Sequence, residues 1–260
     1  MITSTQNDRV KYIRSLARRR MRQREGRFVV EGTRLVKELL RAGIKPALVL
    51  YTKAWASTPA SQQYLSSLAL AKDGSWLVSE GVMVACAETQ TPQGVLAVVP
   101  VSQIPPRPGL VLILDQVRDP GNLGTILRSA EAAGAGQVIL APGTVDPYNP
   151  KVVRAAMGAH FRLPVASLDW QAIAEQVAGR AVWLADAAGE VSYDAVHWSQ
   201  PTALIVGGEA TGAGKQAAGL ATGRVSIPIV GEAESLNAAM ATTVLLFEAA
   251  RQQRGRQATQ

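Results

Sequence analysis

The stretch from Leu110 to Leu140 constrains the fold more than any other. The apolar run Leu110 to Leu114 reads as a buried strand. Asp119-Pro120-Gly121-Asn122 is a turn cluster, because Pro and Gly punctuate the chain and Asn tolerates unusual backbone angles. Leu123, Ile126, Leu127 and Ala130 then fall at helical spacing, Gly134 and Gly136 stop that helix, and Val138 to Leu140 forms the next strand. A strand, polar loop, helix and strand in this order belong to an open α/β sheet, which places ligands at the carboxyl ends of its strands. Asn122 and Arg128 are therefore the first candidates for an active site.

The rest of the chain continues the alternation. Strands are expected at 110–114, 137–141, 163–166, 181–185, 203–206 and 225–229. Helices are expected at about 121–133, 149–157, 169–178 and 235–253, with the strands parallel. Ser235 is a plausible N-cap of the last helix. Ahead of this domain, Pro100 to Gly109 carries four prolines in ten residues and reads as a linker. A smaller α/β domain precedes it, with strands at Phe28–Val30, Ala47–Tyr51, Trp76–Val78 and Gly94–Val99. Its helices are one striped by Leu35, Val36, Leu39 and Leu40, one over 60–71 and a short one over 82–87. The expected division is 1–26, a basic helical arm; 27–100, a substrate domain; 101–109, the linker; and 110–260, the catalytic domain.

Charge narrows the partner. Lys and Arg number 27 against 20 Asp and Glu, a net charge of +7, which favours an acidic partner such as nucleic acid. The excess is dense in residues 6–27, where Val10, Ile13, Leu16 and Ala17 make one apolar face. Arg18, Arg19, Arg20, Arg22 and Arg24 on this arm are expected to bind RNA phosphates. No apolar run approaches a membrane span, and no signal-peptide core opens the chain. Cys86 is the only cysteine, so a reducing cytoplasm is expected. Cys86, His160 and His197 have no metal-ligand spacing, so no metal is expected.

Two further stretches end in ligand-binding features. Ala203 to Gly212 runs a buried strand into Gly207, Gly208 and Glu209, and glycines let a backbone approach a ligand closely. Val225 to Asn237 precedes the last helix. Gly208 to Lys215 looks like a phosphate loop, but its spacing is one residue too long and Gln216 stands where a Ser or Thr would ligate magnesium. Asp115 and Asp119 read as a strand-end residue and a turn residue.

Three stretches in order, Asp119 to Ala130, Ile205 to Gly212 and Ile227 to Asn237, resemble the motifs of the SpoU (TrmH-like) RNA ribose 2′-O-methyltransferases of the SPOUT superfamily. Phe28 to Leu40 is similar to the substrate-binding domain common in that family. The resemblance implies an α/β fold whose C-terminal domain is trefoil-knotted around a parallel sheet, with an N-terminal ribosomal-protein L30e-like domain. It implies S-adenosylmethionine as cofactor, with Gly207, Ile227 and Leu236 on the adenosyl part and Gly208, Pro228 and Gly231 as walls. It implies a homodimer whose site uses both subunits. Arg128 matches the family's essential arginine, with Asn122 orienting the ribose or Arg128, and Glu209 positioning the motif-one loop or Arg128. Ser235 and Asn237 would fix Arg128 and the methionine end of the cofactor. A guanidinium with pKa above about 12 is a poor base, so Arg128 reads as a phosphate and ribose clamp. Ribosomal RNA of the 23S type is the expected substrate. Transfer RNA is the alternative within the class, and a non-catalytic RNA-binding or ribosome-assembly factor is the alternative outside it.

Overall fold

A computed structural model of the chain describes residues 1–67, 74–209 and 212–257. Its elements divide into two units, Met1–Ser102 with Asp146–Phe161, and Gln103–Val145 with Arg162–Gln260.

In the first unit, helices α1 (Asp8–Ser15) and α2 (Arg19–Glu25) lead into strand β1 (Arg27–Glu31). Helix α3 (Thr33–Arg41), strand β2 (Leu48–Thr52), helices α4 (Lys53–Ala56) and α5 (Pro59–Ser67), strand β3 (Ser75–Val78), helix α6 (Glu80–Cys86) and strand β4 (Val95–Pro100) follow. The helix expected over 60–71 is observed to Ser67; positions 68–71 lie outside the described residues. The sheet order is β1-β4-β2-β3, with β4 antiparallel to both neighbours and β2 parallel to β3. The unbroken run Val95 to Val99 is explained by a sheet covered on both faces. Val95, Ala97 and Val99 pack with Leu35, Val36 and Leu39 of α3. Leu96 and Val98 point the other way, onto Val10, Ile13 and Leu16 and onto Val82 and Met83 of α6.

The basic arm is therefore one of the unit's own layers. Burying Val10, Ile13 and Leu16 contributes roughly 1.5–3 kcal/mol for each side chain. Ala17, expected on the apolar face, is exposed. Arg22 corrects the RNA-binding set. Its side chain is 4% exposed and paired with Asp146, so it has no free guanidinium for a phosphate. Arg18, Arg19 and Arg20 are exposed, and Arg24 is exposed but paired with Glu25.

In the second unit, strand β5 (Val111–Asp115), helix α7 (Pro120–Ala133) and strand β6 (Gln137–Leu140) realise the stretch that opened the sequence argument. The chain then contributes helix α8 (Pro150–Ala156) and a tight turn at Ala159–Phe161 to the first unit. It returns as strand β7 (Val165–Ser167), helix α9 (Trp170–Gln176) and strands β8 (Ala181–Ala185), β9 (Val191–Ser192) and β10 (Thr202–Gly207). Helix α10 (Lys215–Leu220), strand β11 (Gly223–Ser226) and helix α11 (Ala238–Gln257) complete it. The sheet order is β7-β6-β5-β10-β8-β11-β9 and every pairing is parallel. The alternation had implied this, although β9 and α10 were not expected.

The excursion of Asp146–Phe161 departs from the expected continuous domain of 110–260. Its cause is aromatic and ionic packing within the first unit. The Phe28 ring lies 4.9 Å from that of Tyr148 and 6.5 Å from that of Phe161, and Asp146 holds Arg22. His160 is buried there, donating Nε2–H to the Pro147 carbonyl at 2.7 Å. Among the described residues its Nδ1 has no partner, and burial pushes its pKa down to about 4. His160 is therefore a neutral core residue.

Candidate active site

The three motif stretches meet because their strands are neighbours. In the register of β10 on β5, Gly207 sits opposite Asp115, so the loops after both strands leave the same sheet edge side by side. Asp115 is 1% exposed and its Oδ2 accepts from the Gly214 N–H at 2.7 Å, tying the second loop to the first strand. The contact is backbone-close. A Cβ on Gly208 would lie 2.2 Å from the Gln116 carbonyl oxygen, and Gln116 itself has a φ of 57°. Only glycine fits at 208 without moving the motif-one loop.

Asp119 starts α7. Its Oδ1 accepts from the Asn122 N–H at 2.7 Å, and Pro120 occupies the first helical position, where no backbone donor is needed. Asn122 is thereby fixed in the first turn. Its Nδ2 donates to Glu209 Oε1 at 2.5 Å, and its Oδ1 accepts from Asn237 Nδ2 at 3.2 Å. One side chain thus joins residues 87 and 115 positions away. The same Asn237 caps α11, its Oδ1 accepting from the N–H groups of Ala239 and Met240. The cap expected at Ser235 is thus supplied two residues later, and the helix begins at Ala238.

Beneath this chain of three side chains lies a cavity of about 380 Å³. Gly207, Gly208, Ile227 and Leu236 line it, with Ser235 and Asn237. Pro228 and Gly231, expected as walls, do not line it; both are exposed, and Ile229 lines the cavity instead. Residues 227–230 leave β11 without helical structure. Ile227 is half-buried, whereas Ile229 lines the cavity while itself 38% exposed, and Pro228 and Val230 face solvent. The charged residues lining the cavity are, among the described residues, the carboxylates Asp186 and Glu209; Asp186 is ion-paired with Arg224, so Glu209 is the charge left to favour a cationic ligand. Asp186 escaped the sequence reading. It is the first polar residue after β8, and the strand-end rule that found Asn122 points to it as well. It is held by Arg224 at 2.9 Å and by the Ala188 N–H at 3.0 Å.

Arg128 stands apart from this network. It is exposed in the third turn of α7 and makes no hydrogen bond or ion pair with a described residue. Glu209 and Asn237 hold Asn122, and neither fixes Arg128. Six residues of helix separate Arg128 from Asn122, a rise of about 9 Å with the side chains about 120° apart. Arg128's neighbour Ser129 shares a hydrogen bond with Thr243 of α11 at 2.8 Å.

Comparison with known proteins identifies the family. The profile of the SpoU rRNA Methylase family matches residues 109–247, and that of the MRM3-like substrate binding domain matches residues 7–97, which take in α1 and α2. The chain is 33% identical to the 23S rRNA (guanosine(2553)-2′-O)-methyltransferase RlmP of Bacillus subtilis, covering 95% of this chain and 97% of that one. It is 34% identical to the 23S rRNA (uridine(2479)-2′-O)-methyltransferase of Streptomyces viridochromogenes, covering 94% and 90%. The AdoMet-bound rRNA methyltransferase of Sinorhizobium meliloti superposes with a TM-score of 0.84 at 34% identity, covering 96% of this chain and 97% of that one. Sequence, fold and site geometry together place this chain in the SpoU rRNA methylase family.

Proposed function

We propose that this protein is a cytoplasmic, S-adenosylmethionine-dependent methyltransferase that modifies a ribose 2′-hydroxyl in large-subunit ribosomal RNA. The observation that carries the reading is the Asn122–Glu209–Asn237 chain at the mouth of an acidic cavity. The cavity residues fit the cofactor. Ile227, Leu236 and Leu245 offer apolar contact to an adenine, bare backbone at Gly207 and Gly208 allows close approach, and the Glu209 carboxylate complements a sulfonium. When bound, the cofactor supplies the electrophilic methyl group. Glu209 accepts one Asn122 N–H, and Asn237 donates to the Asn122 carbonyl oxygen. Asn122 is thereby left with its second N–H to orient a ribose oxygen. Arg128 would hold the RNA phosphate and stabilise charge developing on the 2′-oxygen, whose proton leaves to solvent water.

Arg128 is presented to a cofactor cavity by a second protomer in this reading. What supports a homodimer is an exposed apolar stripe on α11, Met240, Val244 and Phe247, at 64%, 37% and 43% exposure. These positions repeat at helical spacing. A trefoil-knotted path for the C-terminal unit belongs to the same reading, from the match of residues 109–247 to the SpoU rRNA Methylase family.

The test is transfer of labelled methyl from S-adenosylmethionine to ribosomal RNA, with the modified ribose mapped. Arg128→Ala is expected to abolish transfer while calorimetry still detects cofactor binding. Undiminished turnover in that variant removes Arg128 from the mechanism. Val244→Glu with Phe247→Glu is expected to yield monomers in sedimentation and to lose transfer. A dimer that persists would place the interface elsewhere.

A further inference from the structure

The N-terminal unit contains a cavity of its own, of about 260 Å³. Its floor is apolar, built from Ile13 and Leu16, Leu35 of α3 and Val153 of α8. Arg14, in the last turn of α1, and Arg154, in the last turn of α8, also line it. Both are exposed, and neither forms a hydrogen bond or ion pair with a described residue. Two guanidinia without an ion-pair partner among the described residues suit a phosphate, which guanidinium recognises better than any other side chain does, and the carboxylates of Glu31 and Glu88 line the same cavity. Glu31, at the end of β1, supplies the opposite charge and is held in place. Its oxygens accept from the Glu88 N–H at 3.0 Å and from the Thr89 hydroxyl. Each carboxylate oxygen keeps a lone pair for a further donor.

An apolar floor, a fixed acceptor and two free guanidinia match the three parts of a nucleotide. The base buries its faces, its N–H edge donates to Glu31, and the phosphate meets the arginines. The volume lies below the roughly 300–1,000 Å³ of drug-sized ligand sites and suits one base rather than two. We propose that this cavity holds one unstacked nucleotide of the RNA substrate, with its base inside and its phosphate against Arg14 and Arg154. The proposal rests on the reading of the protein as an RNA methyltransferase, and it gives the substrate-binding unit a specific reading site separate from the cofactor cavity.

Cys86 makes the test direct. It is the chain's only cysteine and it lines this cavity but not the cofactor cavity. Burial raises its thiol to about 11, so labelling by a neutral aromatic disulfide is slow enough to time at mildly alkaline pH. Adenosine 5′-monophosphate at about ten times its dissociation constant is expected to slow labelling about tenfold. Ribose 5-phosphate, which lacks a base, is expected to leave the rate near that of the free protein. Arg14→Gln with Arg154→Gln is expected to lose the protection while keeping the melting temperature, since both side chains are exposed. Absence of protection by the nucleotide overturns the proposal, as does equal protection by ribose 5-phosphate, which would indicate a phosphate site alone. Methyl transfer to ribosomal RNA, measured in parallel, separates the two readings. Transfer without protection removes the cavity site only, whereas protection without transfer to any RNA removes the enzymatic reading on which its role depends.

Discussion

Arg22→Ala separates a structural arginine from its RNA-facing neighbours. The Arg22 guanidinium is spent inside the protein. Nη1 donates to the carbonyls of Leu16 and Ala17 at 2.8 and 2.6 Å, while Nε and Nη2 donate to Asp146 Oδ2 at 3.0 and 2.5 Å. Removing it strands two carbonyl oxygens and a carboxylate whose side chain is only 12% exposed. Breaking such a buried pair costs about 3–5 kcal/mol. For a unit of this size that lowers the melting transition by on the order of 10–20 °C. The double change Arg22→Ala with Asp146→Asn should recover part of the loss. It removes the stranded charge yet keeps the Oδ1 that accepts from the Tyr148 N–H at 3.0 Å. Differential scanning calorimetry reads both variants. A melting temperature for Arg22→Ala within about 2 °C of the parent, together with weakened RNA binding, would refute the structural assignment and return Arg22 to the phosphate-binding set.

The exposed arginines behave in the opposite way. Arg18→Ala, Arg19→Ala and Arg20→Ala combined should leave the melting temperature nearly unchanged and reduce the salt slope of RNA binding by about 2–3; an unaltered slope in an anisotropy titration rules out phosphate contacts there. His160 gives a pH signature. Its folded pKa of about 4 lies below the ordinary 6.5, so the unfolded chain binds the proton first as pH falls. Its contribution is fully present above pH 6.5 and is lost between 6.5 and about 4, amounting to on the order of 3 kcal/mol. His160→Gln, which keeps an N–H for the Pro147 carbonyl, should flatten that part of the stability profile in urea titrations. A variant as acid-sensitive as the parent would assign the effect to other groups.

Local pattern made much of the molecule legible. Leu110 to Leu140 announces its strand, turn, helix and strand because each step has a local cause: an apolar run, a proline–glycine cluster, a helical stripe and a glycine stop. Asn122 and Glu209 were identified by the same logic, since strand ends expose polar residues to ligands. Asp186 follows that rule too, but no motif surrounds it to mark it in the sequence. What periodicity could not supply was partnership. In sequence Arg22 is one of a row of arginines, and only the Asp146 carboxylate, 124 positions later, makes it a core residue. The apolar face of α1 was visible, but not that it covers the second face of the β4 sheet and so turns an arm into a layer. The cap of α11 fell to Asn237 over Ser235 because the same side chain must also reach Asn122.

The sequence by itself determined most of the elements, the parallel C-terminal sheet and the polar residues that carry the proposed chemistry, because backbone propensity and side-chain alternation act over a few residues. Only the tertiary structure decided which of those residues meet. It set Gly207 opposite Asp115, gathered Asn122, Glu209 and Asn237 at one cavity, left Arg128 outside that group, and carried Asp146–Phe161 into the N-terminal unit. Such contacts depend on strand order and on packing between distant segments, and no local signal encodes them.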